Sequence, residues 1–263
     1  MRVRRAKRIA LFLDFDGTLV GFKRNPKEVR LGDAERRLLE RLSRQARVSL
    51  VFISGRRRAN LKKQVAVRRA EYLGLHGFES LAGKRLSVAS RQSLDRIQAV
   101  VNPKIRGFAG IWLDDKRSSL ALHYRGADAK LAAKARAAVM QALSQEQFPL
   151  RLLRGKKILE ILPPEIKGKG SAVLKELDRL GDGVLPVYFG DDATDEMAFT
   201  ALRKLGRNGG LDPVTVHVGN GNHTTAEYYV STPGEVKICL ERLAEEMQRR
   251  SRPSLLNTGG QKL

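Results

Sequence analysis

Ile9-Ala10-Leu11-Phe12-Leu13 is an unbroken apolar run that ends in Asp14-Phe15-Asp16-Gly17-Thr18-Leu19. A short run with no polar face predicts a strand buried on both sides, as in a parallel sheet covered by helices. Gly17 then lets the chain turn sharply. Asp14 and Asp16 fall at the carboxyl end of a central strand, the edge where open α/β sheets bind ligands. On an extended chain, side chains at i and i+2 share a side. Two carboxylates placed so repel each other unless a cation or a shared proton intervenes. Mg²⁺ suits such a pair, because it takes one or two carboxylates and fills its octahedron with water and substrate phosphate. The plainer alternative is an ordinary strand followed by a solvated Asp-Gly turn.

The same rhythm continues along the chain. Asp33 is placed to cap a helix running through Arg47, and Val48–Ile53 reads as a second buried strand ending in Ser54-Gly55-Arg56. A basic helix and Glu71-Tyr72-Leu73-Gly74-Leu75-His76-Gly77 follow. Strand, helix, strand implies right-handed crossovers and a parallel sheet. From about Ala82 the pattern changes. A helix over Val88–Val101 precedes strands at 110–113 and 119–124 with a turn over 114–118, then an Ala-rich helix capped by Asp128, then strands at 150–153 and 157–162. This doubled helix-strand-strand unit predicts a small α+β insertion, closed by Pro163-Pro164. A helix over 170–180, a strand over 185–189, Gly190-Asp191-Asp192-Ala193-Thr194-Asp195-Glu196, a helix through Leu205, strands at 214–218 and 228–230, and a helix over 235–249 resume the first rhythm. The expected divisions are 1–81 and 166–249 for the core, 82–165 for the insertion, and 250–263 for a disordered tail.

Composition narrows the possible functions. At 263 residues and 42% hydrophobic, the chain can bury a substantial core. Its 50 Lys and Arg exceed its 28 Asp and Glu, giving +22. That excess favours anionic partners without choosing among nucleic acid, membrane surface and phosphorylated small molecules. Aromatics are only 6% and do not alternate with basic residues, which disfavours a single-strand nucleic-acid binder. Cys239 is the one cysteine and sits in a helical core pattern, so it is expected to pack. A single cysteine fits a reducing compartment. No apolar run approaches the roughly 20 residues of a membrane span. The basic start meets Asp14 too soon for a signal peptide. A cytoplasmic monomer is the expectation.

Asp14 and Asp16, Ser54, Lys169, and Asp191 and Asp195 all fall at carboxyl ends of expected parallel strands or at a helix start beside them. Together they make a phosphoryl-transfer set. One Asp can attack phosphorus, and a second acid can protonate the leaving oxygen and later activate water. Ser and Lys can hold phosphate oxygens, and a further acid completes a Mg²⁺ site.

Asp14-Phe15-Asp16-Gly17-Thr18, Ser54-Gly55-Arg56, Lys169-Gly170 and Gly190 to Glu196 resemble the four ordered motifs of the haloacid dehalogenase superfamily. Within it the chain resembles the trehalose-6-phosphate phosphatases. The Gly-Asp-Asp-x-Thr-Asp-Glu form is a narrow signal of that group. So are Leu75-His76-Gly77, Asp115-Lys116 leading to His123-Tyr124-Arg125, and Gly155-Lys156 leading to Glu160 and Pro163. The resemblance spans about Ala10 to Leu240. It implies an α/β fold, with a Rossmann-like parallel-sheet core and an inserted α+β cap, and Mg²⁺-dependent hydrolysis of trehalose 6-phosphate to trehalose and phosphate through a phospho-aspartate.

By that resemblance Asp14 is the nucleophile and Asp16 the acid/base. Asp14, Asp16 (through its carbonyl), Asp191 and Asp195 hold the metal. Thr18, Ser54 and Lys169 grip phosphate, with Lys167 a rival to Lys169. Gly55, Arg56, His76 and Gly77 belong to the substrate site, and the cap residues Asp114, Arg125, Lys156 and Glu160 hold the disaccharide. The family usually has Glu where this chain has Asp114, so the sugar hydrogen bond there is lost, bridged by water or moved to Asp115. Other readings remain for several positions: core or rim histidines for His76 and His123, a surface Arg for Arg56, and a surface ion pair for Lys156 and Glu160. Another sugar phosphate as substrate, a catalytically silent binding protein on the same fold, or nucleic-acid binding as an added property are the rival functions.

Overall fold

A computed structural model describes residues 2–22, 28–80, 83, 85–209, 212–220 and 223–251. A one-turn helix α1 (Arg2–Arg5) leads into β1 (Arg8–Leu13), the apolar run at Ile9. The core continues through α2 (Asp33–Ser43), β2 (Val48–Ile53), α3 (Arg58–Val65) and β3 (Glu71–Leu73). The inserted unit contains α4 (Val88–Ile105), β4 (Trp112–Asp115), β5 (Leu120–His123), α5 (Ala129–Ser144), β6 (Arg151–Gly155) and β7 (Ile158–Leu162). The core resumes with α6 (Lys169–Leu180), β8 (Val184–Gly190), α7 (Ala193–Gly209), β9 (Val214–Val218), β10 (Tyr228–Val230) and α8 (Pro233–Ser251).

The core sheet is parallel throughout, in the order β10-β9-β8-β1-β2-β3. The chain builds outward from β1 to β3, passes through the insertion, and returns to β8 on the other side of β1. The switch point therefore lies between β1 and β8, and a crevice opens there beyond the strands' carboxyl ends. Alternation along β1 sends Ile9, Leu11 and Leu13 into a cluster with α2, α3 and α8, while Ala10 and Phe12 pack with Ala172, Val173 and Phe199 on α6 and α7. Both faces are covered, which is why the run needs no polar alternation. Cys239 packs at the margin of the first cluster, as expected, and burial raises its thiol.

The insertion carries its own antiparallel sheet, β4-β5-β7-β6. One face, with Leu113, Leu120, Leu122, Leu159 and Ile161, packs on α4 and α5. The opposite face meets the core, where Leu162 and Leu153 join Leu75, Phe78 and Ile166.

Several local expectations are corrected. Gly32, not Asp33, is the N-cap of α2, and Asp33 opens the first turn instead, paired with Arg36. That helix stops at Ser43 because Gln45 and Val48 close turns onto Leu42 and Gln45. α4 runs through Pro103 to Ile105, its last turns held by buried Val101 and Ile105. β4 includes Asp114 and Asp115, for which the sequence suggests a turn, because Asp114 pairs with Ala121 and Asp115 with Leu120. Asp128 does cap α5, accepting from the Lys130 and Leu131 N–H groups. α8 extends to Ser251, and the expected disordered tail from 252 onward lies outside the described residues.

Candidate active site

Three parallel strands deliver the chemistry to one crevice. Asp14 follows β1, and its N–H donates to the Phe189 carbonyl on β8 (3.0 Å). Ser54 follows β2, and Asp191 follows β8. Lys169 opens α6, fully buried, with Nζ 2.7 Å from Asp14 Oδ1 and 2.7 Å from Asp195 Oδ1. Lys167 is exposed, so the geometry brings Lys169 to Asp14 and leaves its rival outside.

Asp195 is saturated. Its Oδ1 accepts from Lys169 and from the Tyr188 hydroxyl (2.6 Å), and its Oδ2 accepts from the Asp191 and Asp192 N–H groups (3.1 Å each). Asp192 caps the start of α7, accepting from the Thr194 hydroxyl and from the N–H groups of Thr194 and Asp195. The loop that carries Asp191 is thus fixed from behind.

Asp14, Asp191 and Asp195 each offer a carboxylate oxygen within 4.8 Å of the others, all three buried. Asp191 Oδ1 is buried and accepts no hydrogen bond. Hard oxygen donors with one left unpartnered fit a hard cation. The Asp16 side chain is not in this cluster, because both its oxygens accept from Arg56, at 2.5 and 2.6 Å. Gly17 makes the approach possible: its φ is +98°, and a Cβ there would collide with the Asp191 carboxylate.

Burial dominates the electrostatics. It pushes Asp14 up to about 7 against the pull of Lys169, with Asp191 and Asp192 adding to the rise. Burial likewise lifts Asp191 to about 6, resisted by the hydrogen bond from Lys156. Asp195 is also raised, first by burial. Lys169 keeps its proton, because Asp14 and Asp195 outweigh the burial penalty. A dication among these acids would reverse their rise.

A cavity of about 850 Å³ lies between the two sheets and is lined from both sides. Asp14, Asp16, Ser54, Gly55, Arg56, His76 and Lys169 come from the core, and Asp114, Arg125, Lys156 and Glu160 from the insertion. Arg56 is therefore not a mere surface residue. Lys156 and Glu160 do not pair with each other. Lys156 Nζ donates to Asp191 Oδ2 (2.7 Å), while buried Glu160 accepts from Lys116 and lies 2.5 Å from His76 Nε2. Burial works to raise Glu160, but Lys116 and His76 hold its carboxyl well below the usual range. Asp115, offered as a substitute for Asp114, also lines the cavity, with its carboxylate paired to Arg91 on α4 (3.0 Å).

Two expected site residues are placed differently. Thr18 is fully buried, its hydroxyl without a partner, and is not among the residues lining the cavity. Gly77 packs against α6, where a Cβ would collide with the Ala172 Cβ.

Sequence reasoning missed others. Lys116 Nζ reaches across to the Gly55 carbonyl (2.9 Å). Phe22 lies under Arg125 (4.7 Å to the ring centroid) and Lys156 (5.2 Å). Trp112 lines the cavity. Lys116 stood inside a quoted motif and was findable; Phe22 had no local signal.

Comparisons with known proteins agree with this geometry. The family model described as Trehalose-phosphatase matches residues 12–233. A trehalose-phosphate phosphatase of Mycobacterium tuberculosis is 30% identical over 254 residues, covering 92% of this chain and 63% of that protein. The chain thus spans less than two thirds of that relative. The solved C-terminal domain of the Candida albicans trehalose-6-phosphate phosphatase shares the fold, with a TM-score of 0.79 at 22% identity, over 92% of this chain and 94% of that one. So does a haloacid dehalogenase-like hydrolase from Bacteroides thetaiotaomicron, with a TM-score of 0.60 at 17% identity, over 90% and 100% of the two chains. A haloacid dehalogenase-type core with an α+β cap, four motifs converging on one crevice, and a family match across most of its length place this chain in the trehalose-phosphatase family.

Proposed function

We propose that this chain hydrolyses trehalose 6-phosphate to trehalose and phosphate, using Mg²⁺ and a phospho-aspartate at Asp14. The observation that carries this reading is Asp14 itself, buried at the switch point between Lys169 and the Asp191 carboxylate and open to a cavity large enough for a disaccharide. The name of the mycobacterial relative supports the substrate.

Asp14 attacks phosphorus, and the bond from phosphorus to the sugar oxygen breaks. Lys169 and Ser54 hold phosphate oxygens as charge builds. Asp16 gives the sugar oxygen its proton, then takes one from the water that cleaves the acyl-phosphate. In the Arg56 pair both Asp16 oxygens accept and Asp16 carries no proton, so the pair opens and Asp16 takes up a proton from solvent before it acts as the acid, while Arg56 turns to the phosphate. Asp14 and Asp191 hold the metal, with the Asp16 carbonyl, and Asp195 orients them from behind. When bound, Mg²⁺ offsets the repulsion between the carboxylates and the phosphate. Asp114, Arg125, Lys156 and Glu160 face the sugar. The cap comprises residues 82–165 between core segments 1–81 and 166–249, and the site works in a cytoplasmic setting.

The test is phosphate release from trehalose 6-phosphate, sucrose 6-phosphate, glucose 6-phosphate and a glycosyl phosphoglycerate, with Mg²⁺ and with chelator. Preference for trehalose 6-phosphate, lost with chelator, is expected. Preference for another sugar would keep the Asp14 chemistry and discard the substrate. Turnover on none would discard both.

A further inference from the structure

Strand pairing arranges the cavity face of the cap in two rows. Trp112 lies opposite His123, which pairs with Ile158, which pairs with Gly155. In the next row Asp114 lies opposite Ala121, followed by Glu160 and Leu153. Trp112 and Asp114 are two apart on β4 and so share this face, and both line the cavity. A row that begins with the Asp114 carboxylate therefore runs beside a row that begins with an indole.

Trp112 is exposed although it is the largest side chain on the face. Its ring stacks on the His123 imidazole, with centroids 4.7 Å apart and planes 9° apart. That stack covers one face of the indole and fixes its orientation. A rigid ring with one face packed and the rest open to a cavity is suited to an occupant with a flat apolar side. A pyranose ring has one, made of its axial C–H groups, while its hydroxyls point outward towards the neighbouring Asp114 carboxylate. Gly155, which lines the cavity and carries no side chain, leaves room above the sheet for such a ring. Neither core packing nor the phosphate chemistry accounts for Trp112. Its neighbour Leu113 supplies the packing, and the phosphate-handling residues all lie on the core side.

We propose that Trp112 is a specificity-determining residue of the sugar site, a fixed platform that stacks on the face of one pyranose ring of the substrate while Asp114 lies beside its hydroxyls. This deepens the proposed function and rests on the cavity being a sugar-phosphate site.

Trp112 is the only tryptophan in the chain, so its fluorescence reports this one position. Titration of the metal-loaded wild type with trehalose should shift and saturate the emission, whereas inorganic phosphate alone should leave it unchanged. Trp112→Ala should raise KM for the sugar phosphate roughly three- to tenfold and leave kcat within about twofold, with Trp112→Phe between the two. Inhibition by inorganic phosphate should stay the same in both variants, and matched thermal melts would show that both fold. An unchanged KM in a folded Trp112→Ala, or an emission blind to saturating sugar, would overturn the proposal. The substrate panel keeps this separate from the proposed function. If the wild type prefers another glycosyl phosphate, the disaccharide assignment falls and the same readouts on that sugar decide for or against Trp112. If it turns over none of them, emission titrated with free trehalose and sucrose decides alone.

Discussion

Lys169 sits between two carboxylates, one reactive and one fixed. Its contact with Asp195 holds it in place, so its contact with Asp14 does not depend on a bound phosphate. Asp14→Asn keeps this shape but removes the nucleophile. Turnover should drop by at least about a thousandfold with the thermal melt little changed, and an Asp14→Asn variant with wild-type kcat would end the phospho-aspartate mechanism. The same acids make metal binding depend on pH. Asp14 titrates near 7 and Asp191 near 6, so as pH falls from 8 to 5.5 a proton must first be displaced from Asp14 and then from Asp191. Mg²⁺ affinity should weaken by up to about tenfold per pH unit for each group once below its pKa. Calorimetric titration across that range checks this. A flat profile would mean these carboxylates do not bind the ion.

The loop after β1 and the turn after β3 are built around tight backbone positions. Gly17→Ala forces a side chain onto φ +98° and into the Asp191 carboxylate. The backbone strain alone should cost about 1–3 kcal/mol, and displacing Asp191 should weaken metal binding as well. A variant that melts and binds Mg²⁺ like the wild type would refute this account of the loop. After β3, Leu75 and His76 both have positive φ, at 47° and 56°. The turn is held because the Leu75 N–H donates to the Arg56 carbonyl and the His76 N–H to the Ser54 carbonyl. These bonds pin the loop carrying Ser54 to the strained turn that aims His76 at Glu160. Strain at this site is consistent with a functional role.

Across the whole molecule, Glu160 joins the two sheets. It reaches His76 on the core side and Lys116 on the cap, and Lys116 continues to the Gly55 carbonyl. Its folded pKa lies below its unfolded value, near the ordinary 4.5 of a glutamate. The stabilisation is therefore full above about pH 4.5 and is lost as pH falls below it. Cap and core should loosen on acidification from about pH 5 towards 3, seen as faster proteolysis between β3 and α4 or as an increased radius in small-angle scattering. Glu160→Gln should show much less of this acid response. An identical response in both proteins would move the latch elsewhere.

The apolar run from Ile9, the doubled helix-strand-strand unit and the spacing of four short motifs were enough to specify the sheet, the insertion and the residues at the strand ends. Those features depend on local pattern, and pattern fixes which face of an element is buried. Partner choice was not legible. Asp16 meets Arg56 across 40 residues of sequence, Glu160 meets Lys116 across 44 and His76 across 84, and Lys169 meets Asp14 across 155. Charge alone allowed Lys156 to pair with Glu160, and cap seating gave it to Asp191 instead. Lys167 and Lys169 carry the same Lys-Gly motif; the Lys-Gly-x-Ala form ahead of a helix favoured Lys169, and the start of α6 buries it beside Asp14. A sequence states which groups must be satisfied; the strand order and the fit of cap on core decide by which partners, because a desolvated charge takes the nearest counter-charge in space, not in the chain.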